Sequence, residues 1–368
     1  MRIAQVAPLA EAVPPKLYGG TERVVSWLTE ALVEAGHDIT LFAAGDSRTS
    51  AFLEAEIPCG LRLAGVNDHL ASHLVMLEHV RRRAAEFDLI HFHIDLIQFP
   101  VCRDILQKTL TTVHGRLDLP DFHPIYRCFP HAPLVSISDD QRRHLPVPCN
   151  WRRTVHHGLP LDAVAFSPGG QKYLAFLGRI SPEKRPDRAI EIAKRAGLPL
   201  KIAAKVDKVD REYFADVVEP MLNCDLIEFV GEINDSEKSA FLGGAMALLF
   251  PIDWFEPFGL VMIEAMAAGT PVIAWNHGSV PEVIEDGVTG SIVSSVEDAV
   301  LAIEMVTRLS RARIRQRFEE RFTARRMASA YLETYRDLGI AAPAYESSLQ
   351  GVASLPGGSW GVGDRSAG

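Results

Sequence analysis

The stretch Phe255-Glu256-Pro257-Phe258-Gly259-Leu260-Val261-Met262-Ile263-Glu264-Ala265-Met266-Ala267-Ala268-Gly269-Thr270-Pro271-Val272-Ile273-Ala274 decides how this chain folds. Just before it, residues 247–250 are apolar and short, as a buried strand would be. Residues 260–268 are rich in helix formers, and Gly269 is placed to stop the helix. Residues 271–274 read as the next strand. Glu256 therefore falls in a strand-to-helix loop, and Phe258, Gly259 and Leu260 open the helix. The backbone N–H groups there lack intrahelical partners and carry the positive end of the helix dipole. Glu264 follows about two turns into the helix. Two carboxylates framing a helix N-terminus can read the hydroxyls of a sugar and a ribose, while the free amides hold further oxygens.

The Glu-x7-Glu spacing with Pro-Phe-Gly inside it resembles the signature of the large retaining glycosyltransferase family 4. That resemblance implies the α/β GT-B fold: two Rossmann-like α/β domains facing a cleft, with a C-terminal helix crossing back to the first. It places the nucleotide-sugar donor mainly on the second domain and the acceptor on the first.

At 368 residues the chain suits two domains, and 47% hydrophobic residues are ample for packed cores. A net charge of −9 argues against nucleic acid as a partner. Three local basic runs, Arg81-Arg82-Arg83, Arg142-Arg143 and Arg152-Arg153, are open to two readings. They are solvated faces, or they touch anionic lipid headgroups. Five scattered cysteines without a Cys-x-x-Cys pair suit a reducing cytoplasm and buried thiols. Residues 1–8 read as a short strand, too brief for a signal peptide, and no apolar run approaches the ~20 residues of a membrane span. The expectation is a cytoplasmic protein, peripheral at the cytoplasmic face of the membrane at most.

In the first half, residues 3–6 read as a strand. The turn Tyr18-Gly19-Gly20-Thr21-Glu22 leads into a helix with Val24, Val25, Leu28, Ala31, Leu32 and Ala35 at helical spacing. Gly20 lets backbone amides approach a phosphate at the helix N-terminus. The turn also matches the Gly-Gly-x-Glu loop that family 4 uses near the donor's β-phosphate. Further strands are expected at 39–43, 88–95, 109–115, 133–138 and 154–157, and a helix at 68–86. His69 and His73 on that helix are spaced i, i+4, but no acidic or thiol ligand supports a metal there. His93 and Asp95 lie at the carboxyl end of a strand, where ligands gather in open α/β sheets, and are candidates for the acceptor side. The resemblance gives His114, in Thr-Val-His-Gly, the role of facing the transferred sugar. In Val155-His156-His157-Gly158, histidine stands where the family usually has asparagine.

Residues 161–172, with Pro168, Gly169 and Gly170, read as the linker. Domains are expected at 1–165 and 166–322, with a returning helix at about 323–338 and a disordered Gly/Ser/Ala/Pro-rich tail at 341–368. Residues 173–177 read as a strand running into a loop with Arg179 and Lys184, a planar fork and a mobile point charge suited to a pyrophosphate. Family 4 has the same Gly-Arg-x4-Lys loop, whose cations neutralise the leaving diphosphate. Strands are expected at 200–204 and 227–230, and a helix at about 296–309. Gly231 matches the turn beside the nucleobase. Lys205-Val206-Asp207-Lys208-Val209-Asp210 replaces the family's Gly-x-Gly turn.

The resemblance thus implies metal-independent transfer with retained anomeric configuration and no cofactor, the nucleotide-sugar being a substrate. Arg179, Lys184 and the amides near Gly20 supply the positive charge; the chain has no Asp-x-Asp for a metal. Glu256 holds donor-sugar hydroxyls and Glu264 the ribose, with Phe258, Gly259 and Leu260 completing the donor site. UDP-glucose is favoured over GDP-mannose, and the hydroxyl acceptor is open. Three alternatives stand beside this: a sugar-nucleotide epimerase of the same fold, a starch or glycogen synthase relative, and a sugar-nucleotide binder without catalysis.

Overall fold

The computed structural model describes residues 1–16, 19–169 and 172–339. Seven strands make the first sheet: β1 (Arg2–Val6), β2 (Asp38–Ala44), β3 (Phe52–Ile57), β4 (Leu89–Phe92), β5 (Thr109–Thr112), β6 (Pro133–Ser136) and β7 (Asn150–Thr154). Their order is β3-β2-β1-β4-β5-β6-β7. The second sheet holds β8 (Tyr173–Ile180), β9 (Leu200–Val206), β10 (Ile227–Gly231), β11 (Ala245–Phe250), β12 (Val272–Trp275) and β13 (Gly290–Val293), ordered β10-β9-β8-β11-β12-β13. Every pairing in both sheets is parallel. In each sheet the strand order reverses beside the first strand, between β1 and β4 and between β8 and β11. Such a reversal opens a crevice at the carboxyl ends of the strands.

Three expectations needed correction. Strand β3 was not foreseen: Phe-Leu-Glu-Ala-Glu-Ile alternates apolar and acidic residues on a sheet edge, where charge blocks stray pairing. The strand expected at 154–157 lies earlier, as β7. It too is an edge, and its polar Asn-Trp-Arg-Arg-Thr run disguises it. Arg179 was expected on a loop but belongs to β8, which continues because Arg179 and Ile180 pair with Lys205 and Val206 of β9. The expected helix at 68–86 runs from Leu70 to Arg82, with a short 3-10 turn after it. The expected tail at 341–368 lies outside the described residues.

The helix Leu260–Ala268 is buried from Met262 onward, with Glu264 among the buried residues. A helix apolar all round belongs inside a core. Gly259 at φ +79° turns the chain into it, and a Cβ there would lie 2.8 Å from Met262 Cε. The helix that carries Glu264 is therefore anchored in the core of the second lobe.

The last helix, Ala324–Asp337, returns to the first lobe. Thr323 caps it by accepting from the Arg326 amide. Its Met327, Tyr331 and Tyr335 pack in one cluster with Ile3, Leu28, Leu89, Leu110 and Val135. The Tyr335 hydroxyl pairs with His91 Nδ1 at 2.9 Å and the Tyr331 hydroxyl with Thr112 Oγ1 at 2.8 Å. Leaving such buried groups unpaired would cost about 1–3 kcal/mol each. Where the chain crosses between lobes, Leu159 N donates to Phe322 O at 3.0 Å and Ala324 N to Leu159 O at 2.9 Å. Gly158 permits this approach, since a Cβ there would meet Thr323 O at 2.2 Å. Gly158→Ala is expected to destabilise the protein by roughly 1–3 kcal/mol or more, measured by denaturant unfolding. An unchanged midpoint would show that the two crossings are not packed this closely.

Candidate active site

A cleft of about 750 Å³ separates the lobes and is lined from both. The first lobe contributes Gly20, Arg23, His114 and His157; the second contributes Arg179, Lys184, Lys238, Trp254, Glu256 and Glu264. Phe258, Gly259 and Leu260 line it as well. Gly20 and Leu260 are the first residues of their helices, Gly20–Glu34 and Leu260–Ala268. A methyl placed on Gly20 would lie 3.9 Å from Leu260 Cδ1. Two helix N-termini from opposing lobes thus meet across the cleft, each with free amides and roughly half a positive charge.

The cationic side chains are all held by carboxylates. Lys184 Nζ donates to Glu256 Oε2, and Trp254 Nε1 donates to the same oxygen at 3.0 Å. Lys238 Nζ bonds Glu264 Oε1 at 2.6 Å and Asp235 Oδ1 at 3.2 Å. Arg23 reaches across the cleft to Asp235. Arg179 pairs with Glu183 and lies 3.3 Å from Asp210 Oδ2 and 4.0 Å from Asp207 Oδ2. Asp207 and Asp210 come from the segment that departs from the family pattern, so this departure bears directly on Arg179. A diphosphate entering the cleft competes with these carboxylates for each cation. Gly231 ends β10 with φ +83°, and the two residues after it, Glu232 and Ile233, line the cleft.

His114 is set by a chain of hydrogen bonds behind it. His93 Nε2 donates to Gln5 Oε1 at 2.7 Å, so His93 Nδ1 accepts, at 2.9 Å, from Nε2 of His114. That leaves His114 Nδ1 as a bare acceptor, and no described residue satisfies it. Burial holds His114 neutral, its pKa pushed down to about 3. Burial likewise lowers His91, His93 and His157 well below the usual imidazole range. Asp95, in the left-handed region at φ 58°, accepts from the His114 backbone N–H at 2.9 Å. His93 is 1% exposed, and neither it nor Asp95 lines the cleft. Both stand behind His114 rather than facing an acceptor, because the strand end carries them under the His114-Gly115 turn. His157 stacks on His114 with ring centroids 5.3 Å apart and meets Phe258 edge-on at 4.9 Å.

Sequence reasoning missed Lys238, Arg23 and Trp254. Lys238 meets Glu264 from 26 residues upstream, a pairing that only the tertiary fold creates. Trp254, two residues before Glu256, was within reach. His73 accepts from the Leu9 amide through Nε2 at 3.0 Å and donates through Nδ1 to His69 O at 2.8 Å, which commits it to the fold. Five of the seven arginines in the basic runs pair with acids: Arg81 and Arg82 with Glu78, Arg83 with Glu54 and Glu86, Arg142 with Asp139, and Arg153 with Glu333.

Residues 161–324 match the family model for glycosyl transferases group 1, and residues 18–147 match that for glycosyltransferase family 4. The chain belongs to the family 4 glycosyltransferases. This glycosyltransferase is 26% identical over 352 residues to a phosphatidyl-myo-inositol mannosyltransferase of Mycobacterium leprae (strain TN), spanning 86% of this chain and 90% of the relative. Among solved structures it is similar to AviGT4, a glycosyltransferase involved in avilamycin A biosynthesis. That likeness has a TM-score of 0.72 at 22% identity, over 93% of this chain and 99% of the other. It is also similar to Anabaena Alr3699/HepE in complex with UDP-glucose, with a TM-score of 0.68 at 16% identity, over 92% and 100%. Together with the two parallel sheets, these likenesses show the GT-B fold. Among the described residues, no helix of this glycosyltransferase is long and apolar enough to cross a membrane.

The neutral histidines predict a pH effect. An imidazole that stays neutral in the fold but takes a proton once unfolded favours the unfolded chain in acid. Stability is therefore complete above the ordinary imidazole pKa of about 6.5 and falls below it, by up to about 1.4 kcal/mol per pH unit for each ring. Thermal melts between about pH 7 and pH 5 should move down accordingly. A flat profile would mean that His91, His93, His114 and His157 titrate as they do in the unfolded chain.

Proposed function

We propose that this glycosyltransferase moves a hexosyl group from a nucleotide-diphosphate donor to a hydroxyl acceptor, with retention of anomeric configuration and without a metal ion. The donor is a UDP-sugar, UDP-glucose by preference, and the product a glycan, glycolipid or exopolysaccharide made at or near the cytoplasmic face of a membrane. The observation that carries this reading is the meeting of two helix N-termini, at Gly20 and Leu260, within a cleft that also holds Arg179 and Lys184. The Anabaena neighbour with UDP-glucose favours a uridine donor. The mycobacterial relative, named for mannosyl transfer, puts GDP-mannose in the same test panel.

In the proposed step the bond from the anomeric carbon to the diphosphate oxygen breaks. The acceptor oxygen bonds to that carbon from the same face, and the acceptor proton passes to the departing phosphate. Negative charge grows on the diphosphate. Lys184 and Arg179 turn from their carboxylates to meet it, and the amides at Gly20, Gly259 and Leu260 add fixed dipoles that need no reorganisation. Glu256, released by Lys184, takes donor-sugar hydroxyls, and Glu264 takes the ribose. His114 faces the sugar with the bare Nδ1 as acceptor. Neither glutamate serves as the acid or nucleophile of a glycosidase.

Glu256→Gln and Lys184→Ala are each expected to lower turnover at least ~100-fold, the scale of losing a charged transition-state contact. Near wild-type rates in either variant would remove that residue from the reaction. Turnover of the preferred nucleotide-sugar should persist in EDTA; strict dependence on added divalent ions would overturn metal independence. Inversion at the sugar's C2 would indicate an epimerase, and tight binding of every donor without hydrolysis or transfer would indicate a binder.

A further inference from the structure

We propose that Trp254 is a positioning and specificity-determining residue for the transferred sugar. Its indole N–H fixes one oxygen of Glu256 so that the other is left to read a sugar hydroxyl, and its ring closes the pocket against Arg116 of the opposite lobe. This rests on the donor reading above.

Glu256 is 8% exposed, and its carboxylate has two inequivalent oxygens. Oε2 receives both Trp254 Nε1, at 3.0 Å, and Lys184 Nζ. Among the described residues nothing donates to Oε1. The two donors differ in what else they can do. An ammonium on a four-carbon stem can swing to a diphosphate once one arrives. An indole N–H is a donor only, on a rigid ring, and has no second partner here. When Lys184 turns to the phosphates, Trp254 alone keeps Glu256 from rotating. The carboxylate that reads the sugar is thus held by a group that the chemistry does not consume.

The ring itself spans the cleft. Lys184 Nζ lies 4.9 Å from its centroid, and Arg116 Cζ, from the first lobe, lies 5.5 Å from it. Arg116 follows directly after His114-Gly115 and is steadied by Asp118, with Nε to Oδ1 at 2.7 Å. The next residue, Phe255, sets its ring 4.0 Å from that of His144, also in the first lobe. The sugar end of the pocket is therefore completed only when the lobes are together. Glu264, assigned to the ribose, and its partner Lys238 do not depend on Trp254.

Trp254→Phe keeps a ring and deletes the N–H. Calorimetry with UDP, or with GDP if the wild type prefers it, should give wild-type affinity. kcat/KM for the sugar nucleotide should fall ~10–100-fold, the scale of a hydrogen bond to a charged group. Discrimination between donors that differ at one sugar hydroxyl should narrow. Arg116→Ala, at a partly exposed side chain, should raise KM for the sugar nucleotide while leaving UDP affinity alone. The inference is overturned if Trp254→Phe keeps wild-type kcat, KM and donor discrimination. It is overturned equally if the variant loses UDP affinity in step with turnover, since that marks a residue of the fold at large. A wild type that binds no nucleotide at all would instead sink the donor reading itself.

Discussion

Two helix N-termini brought to one cleft from opposing lobes both carry positive charge, and much of the site is arranged around that charge. The helices beginning at Gly20 and Leu260 come from different sheets, and each is held by its own core. Neither can leave its own lobe without unpacking that lobe's core. Bringing the lobes together concentrates positive potential at the cleft, and an anion is what relieves it. The switch points of both sheets open on the same space, so the topology and the electrostatics agree on where a phosphate-bearing ligand belongs.

The carboxylates in the cleft act as placeholders. Glu256 holds Lys184, Glu264 holds Lys238, and Asp207, Asp210 and Glu183 surround Arg179. These pairs compensate charges that would be costly to leave alone in the cleft. They also tune affinity, since a diphosphate gains only the difference between its own attraction and that of the carboxylate it replaces. Glu256 and Glu264 suit such exchange, because each can give up its lysine and take hydroxyls without leaving its place.

Much of this was legible in the residues. The helix read at 260–268 has those bounds in the structure, and the alternation of strands and helices identified two parallel sheets. Arg179, Lys184, Glu256, Glu264, Gly20 and His114 do line one cleft. What escaped notice depends on contacts distant in sequence or on edges. Strands β3 and β7 carry polar residues because one side faces solvent, so apolar periodicity did not reveal them. His93 and Asp95 sit at a strand end as expected, yet a turn from the neighbouring strand covers them. Lys238 and Arg23 gain meaning only from Glu264 and Asp235, which the fold brings to them. The segment 205–210, read only as a replacement of the family's Gly-x-Gly turn, proves to set Asp207 and Asp210 beside Arg179.

The chain's last described helix lies in the lobe where the chain begins, with Tyr331 and Tyr335 sealed into its core. Leu159 and Thr323 run side by side between the lobes, so the second lobe is a length of polypeptide that leaves the first and rejoins it at one place. The described chain therefore begins and ends in the same lobe. Both ends of the described chain are thus fastened to one core, and the second lobe is joined to it through the paired crossings at Leu159 and Thr323.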